Sequence, residues 1–150
     1  MASDQPPWHA AYPAPRRVAT TLPSQELLQW FRDGKRDYVL VDLRRTDFEG
    51  GTIRGSLNLP AQSLYPSIPT IYSLLSQSNV KYVVWYCGSS RGRGVRAAGW
   101  FADYLEEQQD TTLQSLVLEG GVKGWVAAGP EYTELMSEYD ESVWKELKSE

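Results

Sequence analysis

Tyr82-Val83-Val84-Trp85-Tyr86-Cys87-Gly88-Ser89-Ser90-Arg91-Gly92-Arg93 joins an apolar run to a short loop of small and basic residues, and a helical pattern begins at Gly94. The run is too short for a helix and reads as a buried strand. Strand, Gly/Ser-rich loop and helix in that order form a pocket for an oxyanion. Backbone N–H groups of such a loop turn inward, and the helix N-terminus adds partial positive charge. Cys87 is the only cysteine of the chain. A thiol in these surroundings is expected to lose its proton early. Arg93 offers a planar fork of donors to a tetrahedral anion. Taken alone, the spacing also suits a thiol that is simply part of the core.

The totals narrow the classes. A chain of 150 residues with 41% hydrophobic and 23% charged content suits one domain with a substantial core. A net charge of -4 argues against general nucleic-acid binding. One cysteine forms no internal disulfide, and His9 is the only histidine, so neither a disulfide scaffold nor a His/Cys metal site is expected. No stretch approaches a membrane span, and the N-terminus lacks the apolar core of a signal peptide. The expectation is a cytoplasmic protein, the nucleus left open, with no membrane or nucleic-acid partner.

In chain order, Pro6, Pro7, Pro13 and Pro15 mark residues 1–17 as a Pro-rich arm, extended and free of regular elements. Trp8 and Tyr12 are the residues that can pin it. Residues 18–150 form the domain. A helix is expected over 23–32, with Leu27, Leu28 and Phe31 facing inward, and a doubly covered strand at Tyr38-Val39-Leu40-Val41. A glycine-rich loop follows, with a short strand near Leu57-Asn58-Leu59. A helix within 67–78 carries Ile71, Leu74 and Leu75. The helix after the cysteine loop places Val95, Ala98, Ala102 and Leu105 on one face. Ser115-Leu116-Val117-Leu118 is a further strand, 122–128 a short helix with Trp125, and Met136, Tyr139, Val143 and Leu147 recur as in a C-terminal amphipathic helix.

Three strands thus end in polar sequence, at Asp42, Cys87 and Glu119. In an open α/β sheet, ligands bind beyond the carboxyl ends of parallel strands. Cys87 is therefore the expected nucleophile, Arg93 its partner, and Gly88, Ser89, Ser90, Arg91, Gly92 and Arg93 the oxyanion-binding loop. Asp42, Arg44 and Glu119 are expected to support it. Asp47 and Glu49 are the candidates for a general acid.

The stretches Val41-Asp42-Leu43-Arg44, Gly51-Thr52-Ile53-Arg54-Gly55-Ser56-Leu57-Asn58-Leu59-Pro60, Tyr86-Cys87 and Leu118-Glu119-Gly120-Gly121-Val122-Lys123-Gly124-Trp125 together resemble a single rhodanese domain. The resemblance implies a three-layer α/β fold, a central mostly parallel sheet with helices on both faces. Sulfurtransferase rhodaneses have a cysteine loop shorter by one residue. The five residues between Cys87 and Arg93 are instead similar to the M-phase inducer phosphatases, their small yeast counterparts and the eukaryotic arsenate reductases. The resemblance implies a hydrolase of the protein tyrosine phosphatase kind, passing through a thiophosphate, with a phosphate- or arsenate-type oxyanion as substrate and phosphoproteins left open. It needs no cofactor. The alternative, arsenate reduction, needs an external thiol such as glutathione with glutaredoxin. Sulfur transfer and a non-catalytic anion- or protein-binding module stand behind these. Two departures weaken the match: Tyr86 stands where the family usually has His, and Gly92 where the large cell-cycle phosphatases have an acid.

Overall fold

The computed structural model describes residues 6–149; the expectations for residues 1–5 and for residue 150 lie outside it. The elements in order are β1 (Thr20–Leu22), α1 (Ser24–Arg32), β2 (Tyr38–Asp42), β3 (Thr52–Ile53), β4 (Leu57–Asn58), α2 (Ile68–Ser76), β5 (Tyr82–Tyr86), α3 (Arg93–Glu107), β6 (Gln114–Leu118), α4 (Gly121–Ala127), α5 (Pro130–Thr133), β7 (Met136–Ser137) and α6 (Glu141–Ser149). The main sheet has five strands in the order β1-β6-β5-β2-β4. Every pairing in it is parallel.

β5 sits at the centre because its residues are apolar on both faces. Val83 and Trp85 enter the core beneath α2 and α3, with Ala97, Ala98, Phe101 and Leu105. Val84 and Tyr86 enter the opposite core, with Leu27 and Leu28 of α1 and Val122 and Trp125 of α4. This is the alternation of a strand covered twice. The polar atoms that this burial traps are paired: Trp85 Nε1 donates to Ser115 Oγ at 3.0 Å, and Ser115 Oγ donates to Ala98 O at 2.7 Å.

Four local expectations are corrected. The face of α3 that meets the sheet runs through Gly94, Ala97, Ala98, Phe101 and Leu105, and Val95 is 40% exposed. The small residues let the helix settle close, and Gly94 lies against Ser90 and Val117. On α2, Leu74 is 69% exposed, while Ile68 is buried and Tyr72 contacts Phe101. Met136 and Tyr139 precede the C-terminal helix: Met136 lies in β7, antiparallel to Ile53 of β3. α6 starts at Glu141, where Asp140 accepts from Ser142 N–H at 3.0 Å, an N-cap contact. The arm contains a 3-10 turn at Trp8–Ala11 and lies along α3. Trp8 meets Trp100 edge-on, Trp100 Nε1 donates to Pro13 O at 2.8 Å, and the arm crosses α3 at Gly99, where a Cβ would stand 2.7 Å from Pro15.

Candidate active site

Because β2, β5 and β6 are parallel neighbours, Asp42, Cys87 and Glu119 emerge at one edge of the sheet. The loop from Cys87 to Gly92 is held at its start by α4. Val122 N–H donates to Cys87 O at 3.0 Å and Lys123 N–H to Gly88 O at 2.9 Å, so the first turn of α4 binds the loop carbonyls. Gly121 makes this approach feasible: a Cβ there would lie 2.5 Å from Cys87 O, and its φ is +59°. Within the loop, Ser90 adopts φ 61°, a left-handed conformation uncommon for a residue with a side chain. The turn aims Ser90 N–H at Cys87 Sγ, 3.2 Å away, and brings Ser90 Oγ to 3.4 Å from Cys87 N. Ser89 Oγ accepts from Arg91 N–H at 3.3 Å. Cys87 itself is 2% exposed.

Arg93 opens α3 and turns back over the loop. Its guanidinium meets Asp47 in a two-point pair, NH1 to Oδ1 at 2.9 Å and NH2 to Oδ2 at 2.5 Å. These hydrogen bonds hold the Asp47 carboxyl far below the usual carboxylate range, against the opposing effect of burial. Asp47 also raises the guanidinium pKa further, and the cysteine sulfur contributes to the same shift. The structure thus commits Asp47, one of the two candidates for a general acid, to the Arg93 pair. Glu49 meets the network through its carbonyl, which accepts from Arg44 NH1 at 3.0 Å, and its side chain is exposed.

Asp42 and Arg44 form a buried pair, 2.8 Å between Oδ2 and NH2. Burying two charges is costly unless their remaining hydrogen-bonding groups find partners. Here they do. Arg44 donates to Glu49 O and, at 2.7 Å, to Gly51 O, while Asp42 accepts from Arg44 N–H and Thr52 Oγ1. Arg44 thereby shapes the 47–51 loop that carries Asp47. Trp144 of α6 fastens the same loop from outside, donating to Gly50 O at 2.7 Å. Tyr86 belongs to this frame. Its hydroxyl lies 2.8 Å from Thr52 Oγ1 and 2.6 Å from Ser56 Oγ, and accepts from Ile53 N–H at 3.3 Å. Thr52 spends its proton on Asp42, so the phenolic proton goes to Thr52 and Ser56 donates to the phenol. Burial holds the Tyr86 phenol well above its usual pKa, which keeps it neutral.

The structure therefore gathers Cys87, Ser90 and Arg93 with Asp42 and Arg44 behind them. Glu119 is different: its side chain is exposed, and its contribution is the main-chain bond from its N–H to Leu22 O at 2.9 Å. The contacts of Asp47, Thr52, Ser56 and Lys123 join positions far apart in sequence, and spacing alone gave no sign of them. Among the described residues, no group of His, Cys, Asp and Glu could hold a metal ion, and no helix is long and apolar enough to cross a membrane.

The chain is similar to known proteins. A family model described as Rhodanese-like domain matches residues 24–128. Arsenical-resistance protein 2 of Saccharomyces cerevisiae is 29% identical over 115 residues, which is 72% of this chain and 88% of that protein. Ygr203w, a yeast protein tyrosine phosphatase of the Rhodanese family, superposes with a TM-score of 0.72 at 22% identity, over 85% of this chain and 98% of its own. The As-Sb reductase of Leishmania major gives 0.72 at 20% identity, over 88% and 99%. At those identities the two solved structures establish the likeness of fold.

Proposed function

The chain belongs to the rhodanese-like domain family, and from that premise we propose that it is a cysteine-dependent phosphatase working at the Cys87–Arg93 loop. The observation that carries the reading is the Cys87 sulfur lying 3.2 Å from the Ser90 N–H, with the Arg93 fork held in place beside it. As thiolate, Cys87 attacks phosphorus in line; the S–P bond forms and the ester P–O bond breaks. Loop N–H groups and Arg93 receive the equatorial oxygens as charge redistributes. Water then attacks phosphorus, releasing phosphate and restoring the thiolate. No cofactor enters this cycle. Asp42, Arg44 and Tyr86 act only by holding the 47–51 loop and the floor beneath the sulfur.

Arsenate reduction is the second reading, favoured by the 29% identity to Arsenical-resistance protein 2. Cys87 attacks arsenic and an arsenate oxygen leaves as water. An external thiol such as glutathione then attacks the cysteine sulfur of the adduct. The S–As electron pair passes to arsenic, giving arsenite and a mixed disulfide, which glutaredoxin reduces. With a single cysteine the chain cannot form that disulfide internally.

The test is turnover of p-nitrophenyl phosphate by the wild type and Cys87→Ser, and of arsenate with glutathione and glutaredoxin. Hydrolysis that needs Cys87 and no added thiol is the expected result. Thiol-dependent arsenite formation without hydrolysis moves the protein to the second reading. Cys87-dependent transfer of sulfur from thiosulfate to cyanide makes it a sulfurtransferase, and silence in all three assays leaves a binding module.

A further inference from the structure

Gly88, the residue after the nucleophile, has no side chain, and two cations approach the space that this leaves. A Cβ built there would lie 3.9 Å from Lys123 Nζ and 4.0 Å from Arg93 NH2, with Lys123 Cε at 3.5 Å. Lys123 is placed there by its own backbone, whose N–H donates to Gly88 O at 2.9 Å. The two cations differ in one respect. Arg93 is matched by the Asp47 carboxylate, so the Arg93–Asp47 pair adds no net charge. Lys123 forms no ion pair with an acidic side chain of the described residues. Arg91, the other cation of the loop, is exposed.

A doubly charged oxyanion meeting a thiolate brings strong repulsion to a site whose arginine is already compensated. From this juxtaposition we propose that Lys123 is a second oxyanion-binding cation and sets a preference for doubly charged over singly charged tetrahedral anions. The proposal rests on the oxyanion reading of the Cys87 loop and adds the charge class of the substrate: phosphate-monoester or hydrogen-arsenate dianions, contacted by both Arg93 and Lys123. An ammonium suits this place. It is a compact point charge on a flexible stem, and it can follow an anion whose geometry the Arg93 fork already fixes.

Sulfate and perchlorate test the charge term, because both are tetrahedral and they differ by one unit of charge. Each is titrated at constant ionic strength against alkylation of Cys87 by iodoacetamide, a neutral reagent, in the wild type, Lys123→Gln and Lys123→Arg. Isothermal titration of the same anions supplies the affinities directly and does not depend on access of the reagent to the sulfur. Sulfate affinity is expected to fall about tenfold in Lys123→Gln, the scale of one hydrogen bond to a charged group. Perchlorate affinity stays within about twofold, and Lys123→Arg recovers most of the sulfate affinity. Equal loss for both anions, no loss for either, or a wild type that binds neither overturns the proposal. Lys123-dependent sulfate binding in a protein that turns over no phosphate or arsenate leaves the proposal standing and removes the enzymatic reading instead.

Discussion

Replacing Asp47 by Asn separates the positioning of Arg93 from the rest of the site. The pair is a two-point contact, with side-chain exposures of 23% for Arg93 and 45% for Asp47. At that exposure solvent screens most of the attraction, so the stability lost is only about 0.5–1 kcal/mol. Activity suffers more, because the guanidinium must hold its orientation over the sulfur while charge moves onto the oxyanion. A fall of about 10- to 100-fold in kcat/KM is expected, the range for weakening one oxyanion donor. The pH dependence has a definite sign. Asp47 is depressed in the folded state, so its contribution is fully present above the ordinary carboxylate pKa and is lost as pH falls through the lower folded value. Urea midpoints of wild type and Asp47→Asn should therefore differ by the same amount at neutral pH and in mild acid, and converge below about pH 4. A kcat/KM within twofold of wild type would refute the positioning role. A rise in activity would show that Asp47 competes with substrate for Arg93.

Tyr86→Phe removes the phenol that joins Thr52, Ser56 and Ile53 N–H, and should lower unfolding free energy by about 1–3 kcal/mol in urea titration. Equal stability would mean that water replaces the hydroxyl. Gly121→Ala forces a Cβ against Cys87 O and Gly88 O, at 2.5 and 2.6 Å, in a left-handed conformation. A loss of about 2–3 kcal/mol and of most turnover is expected, because the α4 contact that shapes the cysteine loop must open. Asp47 is committed to Arg93 in the two-point pair, so the reading in which it positions Arg93 leaves the leaving group without a proton from it. Wild-type kcat/KM for p-nitrophenyl phosphate should exceed that for phenyl phosphate by about 100-fold or more, a gap that a working general acid would close.

The part of the site that the sequence displays is the part that is local. Cys87, Ser90 and Arg93 lie within one turn of chain between a strand and a helix, and the strand announces itself by five apolar residues in a row. β2 and β6 are legible for the same reason. β3 and β7 are two residues each and show no periodicity; they exist because Thr52–Ile53 and Met136–Ser137 pair across the fold. The misread helix at Met136 follows from this, since an apolar residue held by a distant strand still falls into register with a later helix. On α3 the heptad-like spacing selected Val95, but close packing is set by Gly94, Ala97 and Ala98, whose small size matters more than their hydrophobicity. The Asp47–Arg93 pair spans forty-six positions, and no pattern within either segment encodes it.

The same non-local contacts account for the two departures from the family pattern. Gly92 leaves no acid beside Arg93 in the chain, and the carboxylate that pairs with the guanidinium is Asp47, from the loop between β2 and β3. That loop is itself held by Arg44 on the inside and by Trp144 on the outside. The position before the cysteine keeps a hydrogen-bonding side chain in Tyr86, and Thr52 and Ser56 are placed to receive it. A tyrosine introduced alone into such a core would leave its hydroxyl unsatisfied, a cost that selects against the change unless partners accompany it. The phenol here has three partners and links through Thr52 to Asp42, hence to Arg44 and the loop bearing Asp47. Tyr86 therefore supports Arg93 through a continuous set of contacts.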